Sequence, residues 1–102
     1  MTAELRDYVI ADGHLEEFVT AWLEGVLPLR QRLGFKVEGA WTVPSERRFI
    51  WILAHDAPDE DWQALNDAYY ASPERAALDP DPAQWVEESR QVFVQRVLPA
   101  ED

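Results

Sequence analysis

A chain of 102 residues with a formal net charge of −11 and no Cys has the length of one domain and is too short for two separate cores. Its 47% apolar and 12% aromatic content, with five Trp, supplies a packed interior and excludes a disordered chain. The excess of 20 acidic over 9 basic side chains argues against nucleic acid and anionic membrane surfaces as partners, since both select clustered Lys and Arg. Without Cys there are no disulfides, thiolate nucleophiles, Cys-ligated zinc sites or iron–sulfur clusters. No basic stretch leads into an apolar leader at the start of the chain. The longest apolar run, Phe49 to Ala54, falls far below the ~20 residues of a membrane-spanning helix. A cytoplasmic protein with a single domain over residues 1–102 is expected.

Glu4 to Ile10 predicts a strand, with Leu5 and Val9 on one face and Arg6, Tyr8 and Ile10 on the other. Asp12-Gly13 breaks it, and either residue is suited to cap a helix beginning just after. From His14 to Leu33 the apolar residues Leu15, Phe18, Val19, Trp22, Val26, Leu29 and Leu33 recur at spacings of three and four, the stripe of a helix with one buried face. Arg30 and Arg32 complement the dipole in its last turn, and Gly34 follows as the residue that ends it. Pro28 should kink this helix by crowding the Glu24 carbonyl.

Two strands, Phe35 to Val43 and Arg47 to His55, are joined across Pro44-Ser45-Glu46. The second is apolar without alternation from Phe49 to Ala54, as in a strand covered on both faces. Pro58 and the acidic Asp59-Glu60-Asp61 open a second helix with core positions Trp62, Leu65, Ala68 and Tyr69. Ser72-Pro73 caps a further short helical piece, which Asp79-Pro80-Asp81-Pro82 ends. Asp81 is expected to cap another short helix to about Ser89, and Gln91 to Leu98 to form the last strand.

The order strand, helix, strand, strand, helix, strand is a ferredoxin-like α+β unit, βαββαβ, with a four-stranded antiparallel sheet. Two main helices cover one face of such a sheet, so the apolar third strand points to a second copy of the chain on the other. Three stretches carry a resemblance: Glu4-Leu5-Arg6-Asp7-Tyr8, Leu33-Gly34-Phe35-Lys36-Val37 with Gly39-Ala40-Trp41, and Tyr69-Tyr70-Ala71-Ser72-Pro73-Glu74-Arg75. Together with Ala77-Leu78-Asp79-Pro80-Asp81-Pro82 they resemble the NIPSNAP family over nearly the whole chain. The resemblance implies a dimeric α/β barrel, a homodimer in which two sheets pack face to face around a small cavity. It implies no defined reaction.

With Leu5 and Val9 toward the helices, Glu4, Arg6, Tyr8 and Ile10 take the opposite face. A hairpin turning at Ser45-Glu46 sets Ala40 opposite Trp51, Thr42 opposite Phe49, Glu38 opposite Leu53 and Lys36 opposite His55. The face away from the helices then mixes Arg6, Tyr8, Glu38 and His55 with Phe49 and Trp51, an apolar wall with a few convergent polar groups. These six are the candidate ligand-binding residues. Each also has a plain structural role open to it. Arg6 and Glu38 suit an ion pair, Tyr8 and Trp51 suit core packing, and His55 suits a strand end. A near-neutral pKa also gives His55 the chemistry of a general base or ligand.

Two unclustered His, the absence of Cys and the absence of a Gly-rich phosphate loop predict no metal and no cofactor. Two functions from different classes fit. One is a small-molecule binding protein whose cavity takes an apolar or aromatic ligand. The other is a cofactor-independent oxygenase or cyclase acting on an aromatic or polyketide-like substrate, with Arg6, Tyr8 and His55 handling protons and negative charge.

Overall fold

The structure, a computed structural model, describes residues 1–99. Four strands, β1 (Thr2–Ile10), β2 (Lys36–Val43), β3 (Arg48–His55) and β4 (Val86–Phe93), form one antiparallel sheet in the order β2-β3-β1-β4. Helices α1 (Leu15–Ala21), α2 (Leu27–Arg32), α3 (Trp62–Ala71) and α4 (Pro73–Ala76) lie on one face. The ferredoxin-like α+β order expected from the sequence is present. Among the described residues no helix is long and apolar enough to cross a membrane.

Pro28 does not break its helix. A π-helical turn, Trp22–Val26, joins α1 to α2, and Pro28 sits in the first turn of α2, where its missing N–H costs least. The wider turn has a consequence for side-chain direction. Positions four apart drift by about 40° per step on a regular α-helix. A π turn winds less per residue and offsets that drift. Phe18, Trp22, Val26 and Arg30, each four residues apart, consequently all reach one cavity. The helix ends at Gly34, whose φ of +93° is a conformation that favours glycine.

Three local expectations are corrected. The first is the facing of the sheet. Tyr8 packs edge-on against Phe18 of α1, and Phe49 and Trp51 against Phe18 and Trp22, so Glu4, Arg6, Tyr8 and Ile10 face the helices. Leu5 and Val9 face away. The reason is that the charged Arg6 arrives with partners: Glu4 beside it and Asn66 and Tyr70 from α3 above it. Polar groups satisfied in this way pack inward together with the bulk of Tyr8 and Ile10.

The second is the register of β2. Ala40 opposes Trp51 and Thr42 opposes Phe49 as expected, but a bulge between Val37 and Gly39 sets Val37, not Glu38, opposite Leu53, and Lys36 opposite Ala54 instead of His55. At Gly39 the Trp41 ring lies 2.5 Å from where a Cβ would stand, so only glycine admits the ring there. The third is the segment after Asp81. It makes only a 3-10 turn, Pro82–Trp85, and β4 begins at Val86, which pairs with Ile10 of β1. β4 ends at Phe93, short of the expected Leu98, and Glu87-Glu88 lie on an exposed edge strand, where charge deters further pairing.

Candidate functional site

Between the helices and the sheet lies a cavity of about 320 Å³. Tyr8 and Trp51 supply its floor from the sheet, and the Phe18–Trp22–Val26–Arg30 row supplies one wall. Tyr69, Tyr70 and Arg75, from α3 and α4, form the other, and the exposed Ala83, Ser89 and Gln91 stand at its edge. Among the described residues, five buried side-chain polar atoms have no hydrogen-bond partner: Trp22 Nε1, Arg30 Nε, Trp51 Nε1, Tyr69 Oη and Arg75 Nε. Every one belongs to a residue lining this cavity. Buried polar groups are nearly always satisfied, so five orphans on residues around one cavity, on its floor and both walls, single it out.

A larger hollow of about 870 Å³ opens where Thr2, Ala3 and Ile52 meet residues 93–98. None of those orphan atoms belongs to a residue that lines it.

The electrostatics of the cavity rest on three guanidiniums. Arg6, 1% exposed, donates from Nε to Glu4 Oε1 at 2.8 Å, from Nη1 to the Tyr70 hydroxyl at 2.8 Å and from Nη2 to Asn66 Oδ1 at 3.2 Å. Arg75 pairs with Asp81 at 3.1 Å. Arg30, also 1% exposed, donates from Nη1 to the same Asn66 Oδ1 at 3.0 Å and forms no ion pair among the described residues. Its guanidinium instead lies 3.5 Å from the centre of the Tyr69 ring and 4.7 Å from that of Phe35. Burial, and then the charge of Arg6, lowers its pKa to about 10, which leaves it a cation at neutral pH. Burial raises the Tyr8 pKa, with Arg6 opposing, so the phenol stays protonated.

The six candidates from the sequence divide. Tyr8 and Trp51 line the cavity, and Arg6 lies behind it with its guanidinium carbon 5.6 Å from the centre of the Trp51 ring. Phe49 packs beneath α1 and the π turn against Phe18 and Trp22. Glu38 sits at the β2 bulge and pairs with Arg96 at 3.5 Å. At the far end of β3, His55 accepts a hydrogen bond at Nδ1 from the Ala57 amide at 3.0 Å and packs edge-on against Phe35. Its neighbour Asp56 turns instead to Lys36, 2.6 Å away. Among the described residues no three His, Asp or Glu side chains are grouped to hold a metal.

Sequence reasoning missed Arg30, Asn66, Tyr69, Tyr70 and Arg75 as site residues. For Arg30 a signal existed. It continues the apolar row Phe18, Trp22, Val26 by one more step of four, which places a charge on the buried face. Asn66 and Tyr70 carried no comparable mark.

Solved structures with this architecture bear on what the cavity belongs to. An uncharacterized NIPSNAP domain protein from Burkholderia xenovorans superposes with a TM-score of 0.82 at 23% identity, covering 100% of both chains. A NIPSNAP family protein from Agrobacterium tumefaciens gives 0.83 at 14% identity, covering 97% of this chain and 95% of that one. The fold is that of the NIPSNAP proteins. An antibiotic biosynthesis monooxygenase shares it more loosely, at a TM-score of 0.64 and 14% identity over 95% of this chain and 99% of that one. No family model and no curated protein matches the chain. The NIPSNAP fold thus accounts for the helix-covered sheet, and these neighbours leave its activity undefined.

Proposed function

We propose that this NIPSNAP-fold protein is a cytoplasmic, single-domain homodimer that binds a small aromatic molecule in the cavity between its helices and its sheet. The observation that carries the reading is the set of orphan polar atoms on residues that line that cavity. About 320 Å³ lies in the size range of small-molecule sites. Aromatic faces from Trp22, Trp51 and Tyr69 offer stacking, while their polar atoms await partners. The site therefore differs in place from the one expected from the sequence: it lies under the helices and not between two sheets. The subunits would meet through the outer face, where Leu5, Val9, Ile50 and Ile52 are only partly buried and Trp41 is 55% exposed.

Titration with naphthalene-sized aromatic probes, followed by Trp fluorescence and ligand-detected NMR, tests the binding. Saturable binding in the wild type that is lost in Ala83→Trp, which fills the cavity edge, is the expected result. Binding that survives the filled edge overturns the reading.

The alternative of a cofactor-independent oxygenase or cyclase gains support from the monooxygenase that shares the fold. It needs a base in the cavity. Tyr8 is held protonated and His55 is not among the lining residues, so binding is the reading the residues favour.

A further inference from the structure

We propose that the ligand is a planar aromatic carboxylate whose charged end is held by Arg30, an inference that rests on the cavity being a ligand site. Of the three guanidiniums around it, Arg6 is matched by Glu4 and Arg75 by Asp81, whereas Arg30 has no carboxylate. A buried cation without a counter-charge carries a desolvation penalty that its neighbours only partly offset. Aromatic faces and one amide oxygen are what this fold gives it. A ligand anion would complete the set.

The hydrogen-bonding character of the wall narrows the class further. Four of the five orphan atoms, on Trp22, Trp51, Arg30 and Arg75, are N–H donors, and the fifth is the Tyr69 hydroxyl. A ligand that reached these buried atoms would have to offer acceptors. With Nη1 given to Asn66, the Nε–Nη2 edge of Arg30 makes no hydrogen bond among the described residues. That edge matches a carboxylate through two parallel N–H···O bonds, a geometry that a single-point acceptor does not fill. Phe18, Val26, Tyr8 and Val86 leave the rest of the cavity apolar, suited to a mono- or bicyclic ring.

The test compares 2-naphthoate with its neutral isostere 2-naphthamide at neutral pH, by calorimetry and Trp fluorescence, in wild type, Arg30→Met and Arg30→Lys. The wild type should bind the carboxylate at least tenfold more tightly. Arg30→Met should abolish that preference by weakening binding of the carboxylate, and Arg30→Lys should restore part of it. Equal binding of the two probes by the wild type overturns the assignment of a carboxylate and leaves the cavity reading intact. Failure of both probes to bind overturns both. Since the wild-type comparison needs no variant, the outcome stands even where Arg30→Met is poorly folded. A preference that persists in folded Arg30→Met assigns the anion to another group and overturns the role of Arg30.

Discussion

The two faces of the sheet differ in a way that hydrophobicity alone reverses. On β1, Arg6 is 1% exposed and Glu4 6%, while the apolar Leu5 and Val9 on the other face are less deeply buried. On β3 the same alternation hides Phe49, Trp51 and Leu53 under the helices and leaves Ile50 and Ile52 half-covered. Both faces therefore mix charge with apolar bulk: the covered face buries Arg6 and Glu4 among aromatic rings, whereas the outer face leaves the Asp7–Arg48 ion pair, Glu88 and Arg90 beside half-covered Leu5, Val9, Ile50 and Ile52. A charged side chain with three partners goes inside more readily than an aliphatic one with nothing above it. What decides the inner face is the supply of partners from α3.

The strongest way to break this contrast is a pair of Trp truncations. Trp51→Ala, at the centre of the covered face, should cost about 3–5 kcal/mol in denaturant unfolding. Trp41→Ala, on the outer face, should leave monomer stability within about 0.5 kcal/mol. Comparable losses from the two would mean that the faces are equally buried. Next in size is Ile52→Glu. A carboxylate on the outer face should leave circular dichroism unchanged and convert a dimer to a monomer in light scattering, at a cost to association of about 3 kcal/mol. A wild-type chain that is already monomeric at micromolar concentration refutes the pairing of outer faces.

The smallest effect concerns Asp81, which caps the 3-10 turn at the cavity edge through the Ala83 amide and also pairs with Arg75. Burial works to raise its pKa, but Arg75 and the Ala83 amide outweigh it and hold the carboxyl below its ordinary 3.8. A carboxyl depressed by folding stabilises the fold in full above that ordinary value and ceases to do so as pH falls through its folded value. Asp81→Ala should accordingly cost about 1 kcal/mol at pH 7, and the difference from wild type should shrink in melts taken well below pH 3.8. A difference independent of pH would remove the ion pair from the account.

Much of the fold was legible because its signals are local. The helix stripe from Leu15 to Leu29, the cap at Ser72 and the hairpin at Pro44-Ser45-Glu46 each depend on residues a few positions apart, and each is present. The facing of the sheet was not legible, because it depends on Asn66 and Tyr70 reaching Arg6 from more than fifty residues away. The site inherited that error: Tyr8 and Trp51 were found for the wrong side of the sheet. The bulge at Glu38 was hidden for a related reason. It hinges on the Trp41 ring folding back over Gly39, a contact that strand alternation does not encode.

Asn66 places one amide oxygen between two buried guanidiniums, accepting from both Arg6 and Arg30. Its chemical neighbour, aspartate, has nearly the same shape and would bring a negative charge to the same spot. A chain with aspartate there would hold its own counter-ion, gain rigidity, and have less use for a guest. The choice of an amide keeps the interior short of one anion, so that the protein alone and the protein with a guest differ in energy. On the proposed reading, specificity would then be set by a single atom that belongs to neither the ligand nor the group that holds it: nitrogen in place of oxygen, at the end of one side chain.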